Sequence, residues 1–118
     1  MADEVEALRG QFVVEVGVRQ AWPFLAFCDN QFTPPRETRL FIGTVFRVGS
    51  APPSFADGDP DAAVAALLEL NNRTVTDVEL DEANKLQLSF DGGDLVLAVD
   101  SEPRHFTGDI WWLAKQRP

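Results

Sequence analysis

Cysteine and histidine are nearly absent from this chain, which contains one of each among 118 residues. The single cysteine, Cys28, cannot form an internal disulfide, and this fits a reducing compartment. It lies in the apolar stretch FLAFCDN, which predicts a small buried side chain and not a reactive thiol. A metal site with one histidine and no cysteine cluster would have to be rich in carboxylates, which suits Mg²⁺ or Ca²⁺ better than Zn²⁺. We expect no metal site and no cofactor.

Basic residues are also scarce, with 10 lysines and arginines against 19 acidic residues and a formal net charge of −9. Such a charge repels the phosphate backbone of nucleic acids and anionic membrane surfaces, whereas a basic protein partner remains favourable. The strongly apolar stretch at 62–70 is far shorter than the roughly 20 residues of a membrane span. The acidic start MADEVEALRG lacks the basic region and apolar run of a secretory signal, so we expect a cytoplasmic location.

Catalytic motifs are missing as well. The sequence has no G-x-S-x-G nucleophile elbow and no phosphate-cradling glycine loop. A pairing of Cys28 with His105 is arithmetically possible, but Cys28 lies among apolar neighbours and His105 lies in a polar, loop-like stretch. Enzymatic activity therefore stays open, and its absence is the more natural expectation.

The two halves of the sequence resemble each other when they are aligned at an offset of 62 positions. Leu8 then matches Leu70, and Val13 matches Val75. Each of two halves, 8–48 and 70–113, reads as three consecutive strands with turns between them. A linker and a helix at 49–69 join the halves, and we expect a single domain over 1–118. Whether the halves share an origin stays open at this stage.

Alternation and turn residues predict the elements. Alternation places Phe12, Val14, Val16 and Val18 on one face of the first strand. The third strands are predicted at 38–48 and 94–99, and Pro60 fits the first turn of a helix at about 60–70. The expected fold class is α+β, mainly β: two pseudo-repeated three-stranded antiparallel meanders forming a small barrel or sandwich with the helix packed on it. The segment 109–115 reads equally as a strand or a short helix.

The second half carries a recognisable motif. The stretch NNRTVTDVELDEANKLQLSFDGGDLVLAV, at 71–99, combines an N-x-x-V-x-x-V-x-L strand with an L-x-L-x-F-D-x-G hairpin. This resembles a pattern in small, functionally uncharacterised β-rich proteins of actinobacteria. The resemblance implies a β-rich fold and a bacterial setting, and it implies no catalytic residues. The first half departs from the motif in its longer loop after the second strand.

A long loop and the terminal tryptophans are the candidate contact residues. The loop CDNQFTPPRETRL is about seven residues longer than its counterpart, and its prolines mark a protruding segment. The terminal stretch DIWWLA, read as a strand, places one tryptophan on each face, and a single core needs only one of them. The candidate interaction surface comprises Trp22, Pro34, Pro35, Arg36, Trp111 and Trp112.

Two function classes remain on this evidence. The first is a non-catalytic cytoplasmic protein-interaction domain: a homodimer, an accessory subunit, or an acidic antagonist of a basic partner such as a toxin domain. The second is a small-ligand-binding or enzymatic β domain with an aromatic-lined pocket, in which His105 supplies the polar group. A histidine with a strongly perturbed pKa would favour the second class, and an aromatic surface patch would favour the first.

Overall fold

The computed structural model describes residues 2–19, 22–29, 37–50, 53–55, 60–83, 85–92, 95–99 and 111–116. Strands dominate this part of the chain, as the alternating sequence predicts. The terminal tryptophan stretch forms a strand and not a helix. The elements in chain order are α1 (Ala2–Glu6), β1 (Phe12–Arg19), β2 (Trp22–Cys28), β3 (Glu37–Ile42), β4 (Val45–Val48), β5 (Ser54–Phe55), α2 (Pro60–Leu68), β6 (Val75–Leu80), β7 (Leu86–Phe90), β8 (Val96–Val99) and β9 (Trp111–Gln116).

The strands form two antiparallel sheets that do not close into a barrel. The first sheet has the order β1-β2-β3-β9, and the second has the order β5-β4-β8-β7-β6. Each sheet thus contains one of the predicted three-stranded meanders, β1 to β3 or β6 to β8. Each meander is extended by a strand from the other part of the chain, since β9 pairs with β3 and β4 pairs with β8.

The prediction of one long third strand at 38–48 is wrong. The structure divides this stretch into β3 and β4, which belong to different sheets. The break lies at Gly43 and Thr44, which are both buried where the chain passes from the first sheet to the second. Residues 40–44 around the break are all buried, and a run that is buried at every position gives no sign in its alternation that the chain changes sheet there.

The predicted face of β1 is also wrong in part. A β-bulge between Val13 and Glu15 shifts the register of β1 against β2. As a result Val13 and Val16 both face the main core, whereas Val14, at the bulge, is 40% exposed. A bulge adds one residue to one strand and moves the later side chains to the other face, which simple alternation does not foresee.

Helix α2 is confirmed close to its predicted position and lies against strands of both sheets, β1 and β2 in the first and β4 and β5 in the second. Ala63 and Leu67 on the helix, and Leu70 just after it, are fully or almost fully buried. Asp61 lies in the first helical turn, where a negative charge complements the helix dipole. The helix therefore packs its apolar side into the core that the two sheets share.

Two pairs of reciprocal hydrogen bonds join the chain at the start of β1 to the chain at the start of β6. The two strands meet end to end through an antiparallel bridge between Phe12 and Thr74. Around this bridge each segment donates twice and accepts twice, at positions that are 62 residues apart in the sequence. One pair runs from the Val13 N–H to the Arg73 carbonyl at 3.0 Å and from the Val75 N–H to the Gln11 carbonyl at 2.8 Å. The other runs from the Gly10 N–H to the Val75 carbonyl and from the Asn72 N–H to the Val13 carbonyl, both at 2.9 Å.

The residues just before these strands share an unusual backbone conformation. Gly10 has a φ of 87° and Asn72 has a φ of 67°, both in the left-handed region. Glycine and asparagine are the residues that adopt this region most readily. In both places the conformation turns the chain from the end of a helix into the first strand of a meander.

A surface ion pair ties α1 to the second sheet. The Arg9 guanidinium donates to the Asp77 carboxylate on β6 at 2.8 Å and also to Glu6. The hydrogen bond from Arg9 holds the pKa of Asp77 below its ordinary value, helped by the Val78 N–H, which also donates to this carboxylate. Both partners are well exposed, so the pair fixes the position of α1 more than it adds to stability.

We expect the stabilising effect of Asp77 to depend on pH. Because the pKa of Asp77 is lower in the folded state, its contribution is fully present above pH about 4 and is lost as the pH falls through the lowered value. The difference in unfolding free energy between the wild type and Asp77→Asn should therefore shrink between pH 6 and about pH 2. Chemical denaturation across this range checks it, with Glu79→Gln on the same strand as the control. A difference that grows on acidification would contradict the assignment.

Candidate functional site

A second, smaller apolar cluster lies on the outer face of the first sheet, opposite to the main core. Its buried members are Phe24 and Ala26 on β2 and Phe41 on β3. The strand register explains their meeting, since Phe24 lies opposite Phe41, and Phe41 lies opposite Trp112 on β9. Trp22, Trp112 and Ala114 pack against these residues and are only partly buried. We call the surface formed by Trp22, Phe24, Phe41 and Trp112 the aromatic face.

The four rings of the aromatic face are packed against one another. Phe41 and Trp112 are stacked with their ring planes 9° apart and their centroids 5.4 Å apart. Trp22 meets Trp112 edge to face, and Phe24 meets Phe41 at a tilt, both at 5.5 Å. These distances lie within the range of favourable aromatic pairs. Since the rings hold one another in place, the tryptophans are presented in a fixed arrangement.

Arg39 lies next to the rings and is shared by two carboxylates. Its guanidinium carbon is 4.8 Å from the centroid of the Phe24 ring, a cation–π distance. Its Nε lies 3.3 Å from Glu37 Oε1, and its Nη2 lies 3.7 Å from Glu15 Oε1. The face therefore combines rings with a short row of charges, with Glu15 on β1 and Arg39 and Glu37 on β3, the two strands that flank β2.

A glycine makes room for the ring of Phe24. Gly17 lies opposite Phe24 in the register of β1 and β2. A Cβ atom at Gly17 would come within 3.0 Å of two carbon atoms of the Phe24 ring. The ring thus lies directly over the backbone of β1. A glycine in a strand often marks such a close approach, at the cost of some strand stability.

The outer face of the second sheet has a different character. The row that crosses it contains Glu79, Gln87, Ala98 and Arg47, which lie opposite one another on β6, β7, β8 and β4. Glu79 and Arg47 are exposed, and the row contains no aromatic side chain. Polar side chains are what a sheet places on a face that is not packed against a core. The aromatic face is therefore not a requirement of this architecture.

The predicted contact residues fall into three groups. Trp22 and Trp112 are brought together, as partners in one ring contact. Trp111 is 2% exposed and belongs to the core, so its place on the candidate surface is corrected: it lies on the inner side of β9, one residue before Trp112. Three further candidates and the candidate pocket residue lie outside the described residues, namely Pro34, Pro35, Arg36 and His105.

Sequence reasoning missed half of the aromatic face and the arginine beside it. Phe24, Phe41 and Arg39 were not among the candidates, because each lies in a strand that reads as a core strand. The signal that could have found them is β2 itself, in which every residue from Pro23 to Cys28 is buried. A strand that is apolar on both faces needs something apolar on its second side as well.

The aromatic face offers no catalytic constellation. Among the described residues, no three histidine, cysteine or acidic side chains are placed to hold a metal ion. The thiol of Cys28 is buried at the end of β2, as the sequence predicted. Moreover, one ring face of Trp112 is covered by Phe41, which leaves less room for a flat ligand to stack. The arrangement suits contact with a second surface better than chemistry.

No protein-family model, curated protein or solved structure matches this chain. In the part of the chain that the structure describes, no helix is long and apolar enough to cross a membrane. The function must therefore be argued from the site itself.

Proposed function

We propose that this chain is a non-catalytic protein-interaction domain that binds its partner through the aromatic face. The observation that carries the proposal is the contrast between the two outer faces. One carries Trp22 and Trp112, partly exposed over the buried rings of Phe24 and Phe41, and the other carries a row of polar and small residues. Each sheet contains a three-stranded meander extended by a strand from the other part of the chain, so the difference supports a use of the first face beyond folding.

The composition of the aromatic face fits a protein interface. Tryptophan and arginine are enriched among the residues that dominate binding energy, and such residues cluster near the centre of interfaces. Trp22 and Trp112 are only partly buried and so keep surface that a partner can cover. Because strands hold the rings and the rings hold one another, little side-chain freedom is lost on binding.

We further propose that the two sheets arose by duplication of one helix-plus-four-strand unit. The bulge in β1 between Val13 and Glu15 recurs in β6 between Val75 and Asp77, 62 residues later. Tertiary constraints do not require two separate strands to bulge at the same place. The reciprocal hydrogen bonds between β1 and β6 support the same equivalence.

The helix ends support the duplication too. The Leu8 N–H donates to the Val5 carbonyl at 3.0 Å, and the Leu70 N–H donates to the Leu67 carbonyl at 2.9 Å. Under this proposal the outer faces of the two sheets are equivalent surfaces, so the polar face of the second sheet can be compared directly with the aromatic face of the first. A face that became aromatic in one copy only is expected where one copy acquired a binding role.

Affinity capture with face-specific variants tests the proposed function. The whole chain would be immobilised and exposed to a lysate of its own cells, and any retained protein would be purified and measured by calorimetry. We expect the double variant Trp22→Ser, Trp112→Ser to weaken binding at least tenfold, since central interface residues contribute about 2 kcal/mol or more. The matched control is Gln87→Ala with Arg47→Ala, on the outer face of the second sheet.

Circular dichroism and thermal unfolding establish that each variant is folded. If the serine variant does not fold, Trp112→Phe replaces it, because a phenyl ring can keep the stack on Phe41 while the indole is lost. Unchanged affinity in the tryptophan variants, equal loss in the control, or no retained protein at all would each contradict the proposal.

A further inference from the structure

We infer that the partner of the aromatic face is a basic protein segment whose arginine or lysine side chains bind at Glu15 and Glu37. This inference rests on the proposed function, because it names the chemistry of the partner at the same face. It concerns the charged row beside the rings, at the end of the face away from Trp22.

The charges of the row are not balanced. Glu15 and Glu37 share the single guanidinium of Arg39, so the three side chains together carry one negative charge. The two distances, 3.7 and 3.3 Å, are longer than the roughly 2.7–2.9 Å of a strong charge-assisted hydrogen bond. Each carboxylate can accept several hydrogen bonds. Acceptor capacity therefore remains for a second cation.

The two carboxylates are accessible to a partner. The side chain of Glu15 is 53% exposed and that of Glu37 is 31% exposed, whereas Arg39 between them is 19% exposed. Arg39 fills the middle of the row by lying over the ring of Phe24. The guanidinium of Arg39 is thus held between two carboxylates and beside an aromatic ring. A second cation, from the partner, would bind the same two carboxylates from the solvent side.

The charge of the whole chain favours the same class of partner. A second copy would bring a further net charge of −9 to the interface, and nucleic acids or anionic membranes would be repelled. A basic protein is attracted over a long distance and oriented as it approaches. Arg19 lies opposite Trp22, four residues from Glu15 along β1. The face therefore has one end with a positive charge and one end that is negative.

Binding of short charged peptides tests this inference. Three fluorescein-labelled peptides of equal length, in which leucine alternates with arginine, serine or glutamate, would be titrated with the whole chain and followed by fluorescence anisotropy. We expect the arginine peptide to bind most tightly and to lose affinity as salt is raised. The double variant Glu15→Gln, Glu37→Gln should weaken its binding about fivefold, because each exposed charge pair contributes a fraction of a kcal/mol.

The matched control is Glu69→Gln with Glu79→Gln, which removes the same charge from exposed positions outside this face. Equal weakening by the control pair, equal binding of the serine peptide, or no binding of the arginine peptide would overturn the inference. A serine peptide whose binding is lost in Trp22→Ser, Trp112→Ser would remove the charge argument and leave the proposed function standing. Thermal unfolding of the glutamine variants verifies that they are folded.

Discussion

Replacing Trp111 by alanine should lower the free energy of unfolding by about 3 to 5 kcal/mol. Trp111 is 2% exposed and is among the largest fully buried side chains of the described residues. It lies opposite Ile42 at the inner side of the first sheet, within the core that both sheets share. Loss of the indole leaves a cavity that neighbouring side chains fill only in part.

The adjacent tryptophan provides the matched control. Trp112 is only partly buried, so Trp112→Ala should cost roughly half as much as Trp111→Ala or less. Urea denaturation followed by far-ultraviolet circular dichroism measures both. A larger cost at Trp112 would mean that the aromatic face, and not the inner face, is the principal core. That result would contradict the assignment of the two tryptophans to opposite sides of β9.

Phe27→Ala and Phe90→Ala should each cost about 3 to 5 kcal/mol, and the two values should agree within roughly 1 kcal/mol. The two residues are 0% and 2% exposed. Their strand partners are equivalent as well, since Phe27 lies opposite Val13 and Phe90 lies opposite Val75. Equivalent burial in equivalent surroundings leads to equal losses of packing.

Val14→Ala is the control for the phenylalanine pair. Val14 lies at the bulge and is 40% exposed, so its truncation should change the unfolding free energy by less than about 0.5 kcal/mol. Guanidinium denaturation of the three variants under one set of conditions makes the comparison. A difference of several kcal/mol between Phe27→Ala and Phe90→Ala would count against the proposed equivalence of the two halves.

Much of the architecture was readable from the sequence. The two meanders and the helix near 60–70 were predicted, because period-two alternation, the DGG turn and Pro60 each report a local preference of the chain. The sequence did not predict that β4 would pair in the second sheet and β9 in the first. This pairing depends on which edges meet in space, and no local pattern encodes that choice.

The candidate site shows a second limit of sequence reasoning. Alternation identifies which residues of a strand share a face, as it does for Trp111 and Trp112, but it does not say which face is the core. In β2 both faces are apolar, so alternation does not distinguish the face with Phe24 from the face that packs in the main core. The register of β2 with β3 and β9 was needed to bring Phe24, Phe41 and Trp112 into one surface.

Fluorine NMR of the three tryptophans tests most directly whether the aromatic face is the binding surface. The chain would be labelled with 5-fluorotryptophan, and each of the three signals would be assigned by replacing one tryptophan at a time. On addition of the purified partner we expect the signals of Trp22 and Trp112 to shift, while that of Trp111 in the core stays in place. A complex that forms without moving either outer signal would contradict the account.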